Sequence, residues 1–307
     1  MAIFRLGLAG GGRMGRTHMT ALAAGGDVRV VAVAEPDGAT RAMLEGPGVA
    51  VHATLGGMLN SGGIDGVLVA VPSPMHVEVV REIAGRGLPI LCEKPCGVRA
   101  GMAMAADGFA RAAGVVLQVA YWRRFVPALQ DLRARIAAGA LGGLYHLDAQ
   151  QWDGAPPAAR FRATSGGIYV DMMVHELDQI RWLSGQDFVD VRAMASEVED
   201  EAVAGDAECA TALFRLSGGT TAVATAGRRY PGGDAIRVMA FGTRDAADLL
   251  VHRPSAGIDV IDEALRRQAA GFAARVGGAE GTGGATASDA VAALAAAEAA
   301  TPALLGS

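Results

Sequence analysis

The chain has 307 residues, 51% hydrophobic and 19% charged, with a formal net charge of −5. This excludes a disordered chain, and with neither half basic it excludes the electrostatic footprint of a nucleic-acid binder. Three cysteines, Cys92, Cys96 and Cys209, are a sparse, odd set that makes a disulfide framework unexpected. At roughly 150 residues per domain the length suggests two domains. The apolar run Ile3–Ala9 leads into a glycine loop with no small-residue cleavage site. No window offers about 18 uninterrupted apolar residues, so no membrane partner is expected and the expected location is cytoplasmic.

The first 122 residues alternate strand-like and helix-like segments. Strands are expected at Ile3–Ala9, Val28–Ala34, Val67–Val71, Leu88–Cys92 and Val115–Tyr121, with a weaker one at Val49–Ala53. Helices are expected at Met14–Ala24, Met75–Gly85 and Arg99–Ala113, with a short one near Leu55–Asn60. Near-continuous apolar strands suit a parallel sheet covered by helices on both faces, which predicts a doubly wound α/β domain. The loop after the first strand, Gly10-Gly11-Gly12-Arg13-Met14-Gly15, is a G-x-G-x-x-G that opens a helix. Gly10 permits the turn, Gly12 lets a pyrophosphate approach the backbone, and Gly15 lets the helix pack on the strand. Phosphates are then held at the helix N-terminus, by Arg13, Met14 and their neighbours. Glu35 ends the second strand, where a carboxylate accepts ribose hydroxyls and repels a 2′-phosphate. NAD is therefore expected over NADP, although Arg41 lies near enough in sequence to leave the second open.

Two further loops lie at strand C-termini, where ligands bind in open α/β sheets. Pro72, Ser73 and His76 belong to one, and Glu93 and Lys94 to the other. Lys94 stands out for a second reason: the 27 basic residues are 26 arginines and this single lysine. GC-rich codons would inflate arginine, but a compact ammonium that must donate from one point cannot be replaced by a guanidinium. Lys94 is thus a candidate functional residue on the cofactor edge. Cys92 and Cys96 flank it without a second ligand pair, so they read as packing residues and no metal is expected.

From residue 123 to 307 a second domain is expected. A helix entered through Gly166-Gly167 would place Asp171, His175 and Asp178 on one face, where a carboxylate can orient an imidazole. A surface pair at i, i+4 is the other reading of that spacing. Strands are expected at Leu144–Trp152, Val189–Ser196, Ala207–Leu216, Thr220–Ala226 and Ile236–Phe241. Their better alternation predicts a large, mainly antiparallel sheet with one helical face. Gly277–Gly284 reads as a mobile loop before a last, alanine-rich helix.

These pieces resemble the Gfo/Idh/MocA oxidoreductases, the family of glucose–fructose oxidoreductase and inositol dehydrogenase. The likeness runs through Gly15-Arg16-Thr17-His18, Ala34-Glu35-Pro36, Pro72-Ser73-Pro74-Met75-His76, Glu93-Lys94-Pro95 and Arg123-Arg124-Phe125. It continues with Asp171, His175 and Asp178 after paired glycines, and with Asp234, Arg237 and Gly242. The resemblance implies a Rossmann domain followed by an α/β domain whose open sheet commonly forms a homodimer or homotetramer interface. It also implies Lys94, Asp171 and His175 as the catalytic set and Arg123 as a substrate contact. Gln151 and Asp153 stand where inositol dehydrogenases often use His and Asn, and Pro231-Gly232-Gly233-Asp234 lacks a tyrosine common there. The expected activity is NAD-dependent oxidation of a secondary alcohol on a cyclic polyol or sugar, with His175 as base and Lys94 as donor to the reacting oxygen. The alternatives are a dehydrogenase or reductase for another small carbonyl or imine, an NAD-dependent glycosidase, and a non-catalytic NAD-binding regulator. Arg123, Arg124, Arg160 and Arg162 would serve an acidic substrate in the first of these, or else form a solvated surface.

Overall fold

The computed structural model describes residues 3–196 and 203–301. The chain divides into two compact units. The first comprises Met1–Gly97, Gly101–Phe125 and Ile261–Ser288, and the second Val98–Ala100, Val126–Val260 and Asp289–Ser307.

The first unit is built on six parallel strands: β1 (Phe4–Ala9), β2 (Val28–Ala34), β3 (Ala50–His52), β4 (Gly66–Val69), β5 (Ile90–Glu93) and β6 (Leu117–Ala120). Their order, β3-β2-β1-β4-β5-β6, reverses direction between β1 and β4, which opens a crevice at the strand C-termini. Every residue of β4, β5 and β6 is buried, the reason these strands carry no polar alternation. Helices α1 (Arg13–Ala23), α2 (Gly38–Leu44), α3 (Leu55–Ser61), α4 (His76–Ala84) and α5 (Ala100–Ala112) make the crossovers. Two of them start at side-chain caps: Asp37 accepts from the Thr40 N–H and Thr54 from the Gly57 N–H. The short α2 is not foreseen by the sequence pattern.

The largest departure from the expected division is in this unit. Helix α10 (Ile261–Val276) follows all of the second sheet in sequence, yet it packs on α1. Ala264, Leu265, Gln268, Ala269 and Phe272 form its buried stripe. The Phe272 ring meets Phe4 of β1 edge-on at 5.8 Å, and Phe272 and Ala269 join Leu6, Leu8, Leu68 and Leu91 in one core. Residues 123–125 also stay with the first unit, so in place of a single boundary at 122/123 the chain enters the second unit after Phe125, returns at Ile261 and leaves again after Ser288, with Val98–Ala100 a short excursion before them.

The second unit holds a mixed sheet in the order β12-β11-β7-β10-β9-β8. Its strands are β7 (Leu144–Trp152), β8 (Phe188–Ser196), β9 (Cys209–Leu216), β10 (Thr221–Gly227), β11 (Ala235–Gly242) and β12 (Ala246–His252), the last of which the sequence pattern does not reveal. All neighbours are antiparallel except β7 and β10. Alternation follows from one-sided burial: Ala210, Ala212, Phe214 and Leu216 point inward, while Thr211, Leu213 and Arg215 point out. Helix α9 (Val174–Ser184) covers β7 and β10, and α6 (Pro127–Ala137), also unforeseen, packs on α9. Short helices α7 (Ala159–Arg162) and α8 (Ile168–Asp171) precede α9, and α11 (Ala287–Ala300) closes the described chain.

Phe272→Ala is expected to destabilise the protein by about 3–5 kcal/mol, because it empties a core position. Urea unfolding measures the loss. A loss of a few tenths of a kcal/mol would show that α10 is not part of that core.

Candidate active site

At the crevice of the first unit the backbone itself makes the cradle. Gly10 adopts φ +96°, and a Cβ there would lie 2.7 Å from the Ala70 carbonyl oxygen at the end of β4. A Cβ at Gly15 would overlap the Gly10 carbonyl oxygen, so α1 could not come this close to β1 with any other residue. At Gly12 a Cβ would meet no protein atom within 4 Å. That open rim, with Arg13 exposed beside it, is the place where a pyrophosphate fits against the first N–H groups of α1.

Glu35, 8% exposed, faces the same loop. Its Oε2 accepts from the Gly11 N–H and its Oε1 from the Asp37 N–H, both at 2.8 Å. The carboxylate is thereby fixed at the end of β2 with lone pairs left for ribose hydroxyls. Arg41 Nη1 donates to the carbonyl oxygens of Glu35 and Pro36, at 2.8 and 2.6 Å. This guanidinium is turned onto the backbone, where it reinforces the turn that holds Glu35. The residues present fit a dinucleotide with unphosphorylated ribose.

After β4, Pro72 and Ser73 form the rim of a turn that leads into α4. His76 does not share that rim. Its ring is buried and Nε2 lies 2.9 Å from the Val71 carbonyl oxygen. Burial, helped by the nearby Lys94 charge, pushes its pKa down to about 4, so the neutral ring donates to Val71 and braces the loop from behind. After β5, Glu93 is clamped on two sides. His18 of α1 is buried with its Nε2 2.6 Å from Glu93 Oε1, and Glu93 Oε2 accepts from the Lys94 N–H at 3.2 Å. Lys94 is half-buried on this braced turn, and its peptide bond to Pro95 is cis. Cys92 and Cys96 are fully buried free thiols, with the Cys92 pKa raised by burial. His18 is a support that sequence reasoning passed over; its only signal was the motif Gly15-Arg16-Thr17-His18.

The second unit carries Asp171 and His175, each 7% exposed. They do not lie on one continuous helix. The Ile168 carbonyl accepts from both the Met172 and Met173 N–H groups, the chain bends there, and α9 starts at Val174. Asp171 therefore ends α8 and His175 sits in the first turn of α9. Gly167 starts α8 at φ +80°, and a Cβ there would lie 2.5 Å from the Gly205 carbonyl oxygen, so the backbone angle and the close approach both call for glycine. On β7, Gln151 Nε2 donates to Asp153 Oδ1 at 3.1 Å, and the Asp153 N–H donates to the Gly227 carbonyl at the end of β10. These two side chains are half-buried at the same strand ends. Tyr230 follows on the next loop, its ring centroid 6.2 Å from Trp152 and its hydroxyl accepting from Arg253. Arg123 is buried and belongs to the first unit, with its guanidinium 5.8 Å from the Trp122 ring centroid.

A buried ion network was not foreseen. Arg228, fully buried just beyond β10, donates from Nη1 to Asp171 Oδ2 at 3.1 Å and from Nη2 to Asp206 Oδ1 at 2.9 Å. Arg162 Nε donates to Asp206 Oδ2 at 2.6 Å, and its Nη1 lies 2.6 Å from Glu208 Oε1. Arg162 is 4% exposed and paired, so it is neither a solvated surface residue nor a receptor for an acidic substrate.

Known proteins match both units. Residues 4–121 match the oxidoreductase family model with an NAD-binding Rossmann fold, and residues 129–248 match the GFO/IDH/MocA C-terminal domain. The chain is 49% identical over 304 residues to the rhizopine catabolism protein MocA of Rhizobium meliloti, covering 98% of this chain and 95% of that protein. It is 35% identical to the myo-inositol dehydrogenase Hyg17 of Streptomyces leeuwenhoekii, over 77% of this chain and 74% of that one. The crystal structure of a myo-inositol dehydrogenase from Corynebacterium glutamicum superposes with a TM-score of 0.87 at 26% identity, covering 98% and 96% of the two chains. With both of its domains matched and a relative aligned along nearly its whole length, the chain belongs to the GFO/IDH/MocA family of NAD-binding oxidoreductases.

Proposed function

We propose that the protein reversibly oxidises a secondary alcohol of a cyclic polyol, with His175 as general base, Asp171 as its partner and Lys94 as donor to the reacting oxygen. The observation that carries this reading is the placing of the chain's single lysine on a turn braced by Glu93 and His18, at the cofactor edge of the sheet. Bound NAD would supply the hydride acceptor, held by Gly10, Gly12, Arg13, Met14, Gly15 and Glu35, with Pro72, Ser73 and the Glu93-Lys94 turn on the nicotinamide side. His175 takes the hydroxyl proton, a task for which an imidazole near neutral pH is suited. Asp171 orients that ring and offsets the positive charge it gains. The Lys94 ammonium steadies negative charge developing on the alcohol oxygen. Arg123, Gln151 and Asp153 contact the remaining hydroxyls, for which the paired amide and carboxylate of Gln151 and Asp153 offer both donor and acceptor. Names of relatives direct the substrate panel to myo-inositol, scyllo-inositol and rhizopine.

The same reading includes a homodimer or homotetramer formed through the outer face of the second sheet. Met194 is 80% exposed there and Leu213 49%, and Leu250 stands on the same outer face. These apolar side chains share the face with charged ones such as Arg192, Arg237 and Asp248, a mixture that suits a subunit interface.

Three measurements test these statements. Steady-state kinetics should favour NAD over NADP, and Glu35→Ala should narrow the gap; equal efficiency with NADP in the unaltered protein would remove Glu35 from its role. Lys94→Met should cost about 10²–10³ in turnover and His175→Ala about 10²–10⁴, with oxidation in the unaltered protein rising with pH as the base loses its proton. Near-normal turnover in both variants would refute the catalytic set. Light scattering should report an oligomer that Leu213→Asp dissociates, and a monomeric parent protein would refute the interface.

A further inference from the structure

Asp171 ends a helix of only four residues, just before the bend at Met172 and Met173. Its carboxylate meets Arg228, just beyond the end of β10. The guanidinium has two edges. One is taken by Asp206, whose Oδ1 accepts from Nη2 at 2.9 Å and whose Oδ2 lies 2.9 Å from Nε. This leaves Nη1 pointing at Asp171 Oδ2, 3.1 Å away. Asp206 is in turn held by Arg162, Arg162 by Glu208, and Glu208 accepts from Arg229 Nε at 3.1 Å. Charges along this chain of contacts alternate, so each buried ion has a partner of opposite sign.

We propose that Arg228 is a positioning residue for the reaction: clamped by Asp206, it sets the place and orientation of the Asp171 carboxylate that serves His175. The proposal rests on the reading of Asp171 as part of the catalytic set. A lysine cannot replace Arg228, because one ammonium on a flexible stem cannot hold both carboxylates in a fixed plane. Arg228 touches neither substrate nor cofactor in this scheme, so its removal should act on turnover through Asp171 and leave NAD binding alone.

The test is a double-mutant cycle, read with the fastest member of the panel of myo-inositol, scyllo-inositol and rhizopine. Arg228→Lys should lower kcat by about 10- to 100-fold, the loss expected when a catalytic group is misplaced by about 1 Å. Its KM and its Kd for NAD should change by less than about twofold. In an Asp171→Asn background the same change should lower kcat by less than about threefold, since the group it positions is already disabled. Circular dichroism and thermal unfolding establish that each variant is folded. Arg228→Met removes the cation shared by two buried carboxylates and is the variant at risk of misfolding, so Asp206→Asn, which loosens the clamp and keeps Arg228, provides the second line and should repeat the pattern in smaller measure. An undiminished kcat in folded Arg228→Lys, or equal fractional losses in both backgrounds, overturns the proposal and leaves Asp171 catalytic. A near-normal kcat for Asp171→Asn alone overturns instead the reading of Asp171, and the proposal with it.

Discussion

Burying a charge is tolerable only when its partner is buried with it, and the second unit is organised around that constraint. Arg228 is wholly out of water, and an unpaired guanidinium there would cost several kcal/mol in lost hydration. Asp206 and Asp171 offset the cost, and because the guanidinium is planar they must come to it along defined directions. Those directions tie the β9–β10 ladder, which the Arg228 N–H extends by donating to the Glu208 carbonyl, to two short helices outside the sheet. Arg162 brings the end of α7, Asp171 the end of α8, Asp206 and Glu208 the segment leading into β9, and Arg228 the residue after β10. The candidate base and its partner lie where these elements meet. A purely apolar core could have joined the same pieces, but it would have offered the carboxylate of Asp171 no cation.

The first unit meets a different requirement, close approach of backbone to backbone. Its glycine loop lies against Ala70 and its own helix too tightly for side chains, while the one position left open, Gly12, faces outward. Glu35 then ties the loop to the end of β2 through the Gly11 N–H. The candidate sites for the cofactor's phosphate and ribose parts thus share one corner, built where the strand order reverses. The neighbouring turns are braced from within: His76 holds the Val71 carbonyl, and His18 with the Lys94 N–H holds Glu93. Two of the molecule's buried histidines therefore serve to shape loops, and their imidazoles should not be confused with that of His175.

Functional burial is shared unequally between the two units. In the first, the candidate ligand-facing groups are mostly backbone N–H groups at a helix start, with few side chains. In the second they are titratable side chains, 7% exposed in the case of Asp171 and His175. Backbone recognition suits a cofactor whose phosphates and ribose do not vary. Side chains on strand ends and helix starts, such as Gln151 and Asp153, can change with the substrate while the sheet beneath them stays the same.

Much of this was legible in the chain itself. Short-range pattern determined it: apolar runs for the parallel strands, alternation for the second sheet, the glycine spacing before α1, a carboxylate at the end of β2, and one lysine among 26 arginines. Each of these is local, so its physical cause lies within a few residues. Tertiary structure alone decided the return of α10 to the first core, because an amphipathic stripe says that a helix packs and not on what. It also decided the break between α8 and α9, where the Ile168 carbonyl serves two N–H groups and the spacing of Asp171 and His175 still reads as one helical face. The Arg228 network was illegible for the same reason. Its contacts join residues 22, 44 and 57 positions apart, and long-range pairing of opposite charges leaves no periodic trace in a sequence where either partner could equally have faced water.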